Sequence, residues 1–364
     1  MRNTYLQNLR LENYRNFQTF ALESGNNPII LIGENGIGKT NILEAVSLLF
    51  PGRGIRAAKL EDIGKSGEKS WSIAAKLQSK IGIAELYTVF NANIGKRYIE
   101  FNGAKIPNSE LSMLSSMLWL TPQMEGIFLA ASSDRRKFLD RIVFTFYHEH
   151  ATKVSKYEYY MYERSKILQQ ESINSSWLQI IENKMAELSV VIATNRINVL
   201  AYLQSAIDEL DSEFPKAILA IEGVELQIDS TNIVELIQQQ FESRRNQDKL
   251  SGRTTFGTHR SDLIVKHKLK NIPAQFCSTG EQKAMLITIM LAQVISIIKI
   301  TSTAPILLLD EVFVHLDSIR KQYLINFLIT VKLQIWITAT DLDGIEELVN
   351  YAELVNLDSL ASVS

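Results

Sequence analysis

Two kinds of hydrophobic pattern divide the chain. Near its ends lie short, continuous apolar runs, Ile29-Ile30-Leu31-Ile32 and Ile306-Leu307-Leu308-Leu309, and residues 334–338 read as a third buried strand. Unbroken runs of this length suit strands buried on both faces of a parallel sheet. Residues 5–12 alternate apolar and polar, and residues 71–78, 83–90, 97–101 and 262–267 also have strand character. Asn102-Gly103 marks a turn. Helices are expected over 40–50, where Pro51-Gly52 stops the pattern, and over 280–298.

The middle reads differently. Residues 132–210 contain almost no Gly or Pro. Trp177, Ile181, Met185, Leu188 and Ile192 recur at spacings of three and four, and Leu200, Leu203, Ile207 and Leu210 resume the pattern. Such periodicity predicts a long amphipathic helix, in a bundle or coiled coil or simply packed on a core. Strand-rich ends thus bracket a helical insertion. Residues 284–298 are almost all apolar, but the run is shorter than the roughly 20 residues of a membrane span. Thr288, Gln293 and Ser296 interrupt it, so a buried helix and no membrane association are expected.

Composition changes this picture little. The 364 residues suffice for one large domain or two moderate ones, and 46% hydrophobic content supports a real core. A net charge of −2 neither announces a nucleic-acid binder nor excludes a local basic patch. The one cysteine, Cys277, permits no disulfide within the chain. With no secretory segment at the start, a reducing, cytoplasmic location is expected.

Candidate chemistry begins with Gly33-Glu34-Asn35-Gly36-Ile37-Gly38-Lys39-Thr40, followed by Asn41. It fits G-x-x-x-x-G-K-[ST] at every fixed position and lies between a predicted strand and a predicted helix. Glycines let backbone N–H groups surround phosphates, and the helix N-terminus adds its dipole. Lys39 brings a cation to the β- and γ-phosphates of ATP, and the Thr40 hydroxyl can ligate Mg²⁺. The second element is Asp310-Glu311, closing an apolar strand. Acids there face the ligand crevice. Asp310 would hold Mg²⁺, and Glu311 would orient and deprotonate water. Each chain end carries half of this site, so the ends are expected to form one domain.

The third element, Ser278-Thr279-Gly280-Glu281-Gln282-Lys283, precedes Asp310 by about 30 residues. It resembles the signature of ABC ATPases. In those proteins the serine and glycine bind the γ-phosphate held by the other subunit. Residues 9–17, 33–44, 133–141, 257–262, 278–283 and 309–317 resemble, in order, the motifs of the RecF family. The resemblance implies an α/β fold: a P-loop ABC/SMC-like ATPase lobe from residues 1–130 and 251–364, with a mainly helical lobe at 131–250. It implies ATP and Mg²⁺ as cofactors and an ATP-dependent homodimer in which Ser278, Gly280, Glu281 and the D-loop-like Asp317 meet the partner's nucleotide. It also implies binding to DNA at single-strand/double-strand junctions and gaps, with RecO- and RecR-type mediators, to assist loading of the recombinase RecA.

Several residues carry two readings. Gln123 can be a Q-loop metal ligand or a chance match, and Asp317 can also cap a helix. Arg56 can approach nucleotide or DNA, or be a loop arginine. Arg135, Arg136 and Lys137, with Arg141, can contact DNA or form ion pairs within the helical lobe. His148-Glu149-His150 lacks a convincing third metal ligand and reads as a surface cluster. A transporter's energising subunit is disfavoured because Thr340 stands where a switch histidine is expected. An SMC- or Rad50-like bridging protein is disfavoured because the insertion is too short for long coiled-coil arms.

Overall fold

The computed structural model describes residues 4–107, 110–112, 116–172, 174–223 and 232–361. In chain order the main elements are β1 (Tyr5–Tyr14), β2 (Phe17–Glu23), β3 (Ile29–Ile32), α1 (Lys39–Leu48), β4 (Ser70–Ser79), β5 (Gly82–Asn91), β6 (Lys96–Phe101), β7 (Ala104–Lys105) and β8 (Met117–Leu120). Then follow α2 (Ser132–Phe144), α3 (His150–Leu168), α4 (Ser175–Glu209), β9 (Ala217–Glu222), α5 (Ile233–Ser243), β10 (Asp262–His267), β11 (Ile272–Pro273) and α6 (Thr279–Thr301). The chain closes with β12 (Ile306–Asp310), α7 (Ser318–Val331), β13 (Ile335–Ala339), β14 (Glu353–Asn356) and α8 (Leu357–Ala361).

The chain divides into two compact units. The first comprises Met1–Glu125, Asp211–Phe214 and Val294–Ser364. It holds a six-stranded sheet ordered β2-β1-β4-β5-β6-β7 and a five-stranded sheet ordered β14-β3-β13-β12-β8. Pairings in the former are antiparallel and in the latter parallel. The unbroken apolar runs are β3 and β12, as expected of parallel strands covered on both faces. One core joins Leu9, Leu11 and Ile73 of the antiparallel sheet, Ile42 and Val46 of α1, and Leu31, Leu308 and Trp336 of the parallel sheet.

The second unit comprises Gly126–Leu210 and Pro215–Gln293. Its helices α3, α4 and α5 share a core of Tyr157, Ile181, Met185, Ile192, Ile237 and Phe241. This division corrects the expected boundaries, because residues 251–293 belong here. Strand β10 pairs antiparallel with β9 from Asp262↔Glu222 to His267↔Ala217, and Arg135 of α2 pairs with Asp262. The lobe expected to be mainly helical therefore carries a three-stranded sheet, β11-β10-β9.

Two smaller expectations are corrected as well. Trp177 is 49% exposed, and Leu178, 1% exposed, takes the core position. His150 is fully buried, not part of a surface cluster, with Nε2 2.9 Å from Asp140 Oδ1. No group of three or more His, Cys, Asp or Glu side chains placed to hold a metal ion occurs among the described residues. The apolar run 284–298 lies in α6, the one described helix long and apolar enough to cross a membrane, and 72% of its apolar window is buried inside the protein.

Candidate nucleotide site

The parallel sheet builds the site. Strand β3 ends at Ile32, and the loop 33–38 leads directly into α1. Gly33, Gly36 and Gly38 have φ of 155°, 87° and 117°. At Gly38 a Cβ would lie 2.8 Å from both the Asn16 amide nitrogen and the Phe17 ring, so those side chains would have to shift, on top of the strain of its φ. At Gly36 a Cβ would meet nothing within 4 Å, so the backbone there is open to a ligand. Lys39 is 5% exposed. Its Nζ donates to the Gly33 and Glu34 carbonyls, the latter at 3.0 Å, which fixes the ammonium within the loop.

Thr40 donates its hydroxyl to Asp310 Oδ1 at 3.0 Å. Asp310 ends β12 and stands in register with Thr338 on β13, the strand between β12 and β3. Thr338 donates to the same carboxylate oxygen at 2.8 Å and accepts from the Glu311 N–H at 2.9 Å. Glu311 takes φ 51°, a left-handed turn directly after the strand. A non-glycine residue held there carries a local conformational cost, a frequent property of functional sites. Gln123 is exposed three residues beyond β8, which pairs with β12. It thus lies past the same end of the sheet as Asp310.

Sequence reasoning missed the support behind this loop. Asn16, in the turn between β1 and β2, donates to the Ile37 carbonyl at 2.8 Å and accepts from Asn41 Nδ2 at 2.7 Å. Arg56 donates to Asn41 Oδ1 at 2.7 Å. Buried Glu44 on α1 receives Arg15 through both carboxylate oxygens, at 2.6 and 2.7 Å, and Tyr14 at 3.1 Å. Burial, with Glu44 beside it, holds the Tyr14 hydroxyl well above the ordinary tyrosine range. Asp358 Oδ1 accepts from the Glu34 N–H at 3.1 Å, tying α8 to the loop. The resemblance at residues 9–17 marked a strand, and only the fold brings Tyr14, Arg15 and Asn16 to α1 and its loop.

The signature segment lies in the second unit. Ser278 stands at the start of α6, where Ser278 and Glu281 form a reciprocal cap. Glu281 Oε2 accepts from the Ser278 N–H at 3.1 Å, and Ser278 Oγ accepts from the Glu281 N–H at 3.3 Å. Lys270 and the Ser278 backbone pull the Glu281 carboxyl down to about 2. Glu281 is thus engaged within its own subunit, whereas Ser278, Thr279 and Gly280 are exposed. Asp317 caps α7, accepting from the Arg320 N–H at 2.9 Å.

The cations considered for DNA contact have internal partners. Arg135 Nε lies 2.8 Å from Asp262 Oδ1, Arg136 donates to the Ser261 carbonyl at 2.7 Å, and Lys137 pairs with Asp134 at 3.0 Å. The segment 257–262 is held similarly. Arg196 binds Asp140, Thr258 and Ser261, and His259 Nδ1 lies 2.9 Å from the Tyr157 hydroxyl. Burial lowers the His259 pKa, which favours the neutral ring.

A glycine loop with its buried lysine, a strand-end acid pair and an exposed helical signature define a P-loop ATPase of the ABC/SMC head class. The family model described as RecF/RecN/SMC N terminal domain matches residues 5–357. The DNA replication and repair protein RecF of Rickettsia felis is 58% identical over 98% of this chain and 99% of its own length. Its counterpart in Rickettsia akari is 56% identical over 98% of this chain and 100% of its own. A structure of the recombination mediator protein RecF with ATP superposes with TM-score 0.84 and 24% identity, covering 93% of each chain. An Smc head domain from Pyrococcus furiosus gives 0.55 and 15%, covering 95% of this chain and 92% of its own. Those two likenesses speak to the fold. The chain belongs to the RecF family.

Proposed function

We propose that this protein is an ATP-dependent DNA-binding ATPase of replication and recombinational repair. The observation that carries this is the convergence of Thr40 and Thr338 on Asp310 beside the phosphate loop, with the Glu311 N–H anchored on Thr338, in a chain 58% identical to a DNA replication and repair protein. ATP would lie with its phosphates along residues 33–41, over the open backbone at Gly36. The donor set fits a hard cation: a hydroxyl and a carboxylate 3.0 Å apart, Thr40 and Asp310, with Gln123 past the same strand ends. Mg²⁺ held there would offset negative charge on the transferred phosphoryl oxygens.

Lys39 adds a fixed cation to the phosphate bed. Glu311, free of side-chain partners among the described residues, orients the attacking water and takes its proton. The exposed signature residues Ser278 and Gly280 would cover the γ-phosphate of a second copy of this chain, with Asp317 at the same junction. ATP would thereby drive homodimerisation, and hydrolysis would release it. The DNA bound would be gapped duplex, at single-strand/double-strand junctions in the cytoplasm. RecO- and RecR-type mediators would act with it to assist recombinase loading.

The test is DNA binding with and without ATP, on gapped, single-stranded and duplex substrates. Tighter binding to the gapped substrate with ATP is expected. Equal affinity for all three, with no response to ATP, would remove the reading.

A further inference from the structure

The first unit contains a cleft of about 740 Å³ lined by no residue of the nucleotide loop, between residues 52–61 and the hairpin of β6 and β7. Its lining includes Arg53, Lys59, Arg97, Lys105 and Tyr98, with Glu61 as the one acid among the described residues. Four cations against one carboxylate make a strongly positive spot on a chain whose net charge is −2.

The four cations are not alike. Arg97 is structural: it donates to the carbonyls of Leu48 and Gly52 at 2.8 Å and of Phe50 at 3.1 Å. Burial lowers its pKa to about 10, which leaves it charged at pH 7. Arg53 and Lys59 are exposed and have no side-chain partner among the described residues. Lys105 is exposed, and its ammonium sits 4.5 Å from the centre of the Tyr98 ring. By contrast, Arg135, Arg136 and Lys137 already have internal partners.

We infer that this cleft binds the phosphodiester backbone of nucleic acid, with Arg53, Lys59 and Lys105 as its phosphate contacts. The proposal rests on the DNA-binding function above and places part of it. A single small phosphate is better held by converging backbone N–H groups, as in the loop at 33–40. Exposed cations along an open cleft, none of them in an ion pair among the described residues, suit a polyanion, whose binding gains from released counterions. Tyr98 lines the same cleft beside Lys105, so an aromatic ring accompanies the cations, as in surfaces that take unpaired bases.

The test is a triple variant, Arg53→Ala, Lys59→Ala and Lys105→Ala, with fluorescence anisotropy on gapped duplex across a salt series. Three lost phosphate contacts should reduce the slope of log affinity against log salt by about 2.7, at about 0.9 per contact. Between 50 and 200 mM salt, the fall in affinity should shrink about 40-fold relative to wild type. ATP affinity and melting temperature should stay at wild-type values. A charge-matched control, Lys153→Ala, Lys166→Ala and Lys184→Ala on the second unit, should keep the wild-type slope.

An unchanged slope in the cleft variant overturns the inference while wild-type DNA binding leaves the functional reading standing. An equal change in the control overturns it too, by reducing the effect to net charge. A Lys39→Ala background removes the loop as a competing anion site. If that protein binds inorganic tripolyphosphate and the cleft variant abolishes this without altering DNA binding, the cleft belongs to a small phosphate and the inference fails. Absence of DNA binding by wild type removes the functional reading and this inference together.

Discussion

Thr338→Val isolates one hydroxyl at the centre of the site. The side chain is 2% exposed, and valine matches its shape. Its hydroxyl supplies a 2.8 Å hydrogen bond to Asp310 Oδ1 and receives the Glu311 N–H at 2.9 Å. Asp310 keeps Thr40 at 3.0 Å but loses the donor that fixes it from the neighbouring strand. A hydrogen bond to a charged group contributes about 1.5–3 kcal/mol. If that energy holds the carboxylate where the reaction needs it, hydrolysis should slow by about 10- to 150-fold. The Glu311 backbone, no longer anchored, adds to the loss in the same direction. The assay is steady-state phosphate release at saturating ATP. Equilibrium nucleotide binding in chelator should be unchanged, because the phosphate loop is intact. Thr338→Ser, which keeps the hydroxyl, should recover most of the rate. Hydrolysis by the valine variant within about two-fold of wild type would refute the reasoning, as would equal loss in the serine variant.

Other expectations follow from the same geometry. Lys39→Met removes a buried cation from the loop, so ATP affinity should fall at least about ten-fold by equilibrium titration and ATP-driven association should disappear. Glu311→Gln should bind ATP at wild-type affinity while hydrolysis falls at least about 100-fold, the scale of a lost general base, and light scattering should show a longer-lived dimer. Ser278→Arg should bind ATP nearly normally as a monomer yet neither dimerise nor hydrolyse; loss of ATP binding by that monomer would place the signature within its own subunit. Arg164→Met concerns stability alone. Arg164 is fully buried and pairs with Glu182 at 2.9 Å and Asp248 at 2.6 Å. Leaving those carboxylates short of a partner should cost about 3–5 kcal/mol in a denaturant titration.

The sequence by itself determined whatever depends on a few contiguous residues. A phosphate loop needs glycines and a lysine at fixed spacing because one short stretch of backbone must wrap the phosphates. Gly33 to Thr40 therefore declared itself, as did Asp310-Glu311 after four apolar residues, whereas the six-residue segment starting at Ser278 is read through its resemblance to a family signature in that order and spacing. The strands at 29–32, 262–267 and 306–310 were legible for a similar reason: burial on one or both faces leaves a periodic trace in the residues themselves. Tertiary structure decided what depends on register between distant segments. Thr338 reaches Asp310 only because β13 lies between β12 and β3. Asn16 and Arg15 matter because the β1–β2 hairpin meets α1, and nothing local to residues 15–16 signals that meeting. Residues 251–293 looked like a return to the first lobe because the chain regains α/β character there and each end carries half of the nucleotide site. A period identifies a strand without naming its neighbour, and backbone pairing with β9 placed β10 in the second unit. The basic residues divided on the same principle. Sequence counts charges, but only the fold shows that Arg135 is paired with Asp262 while Arg53 and Lys59 remain open to solvent.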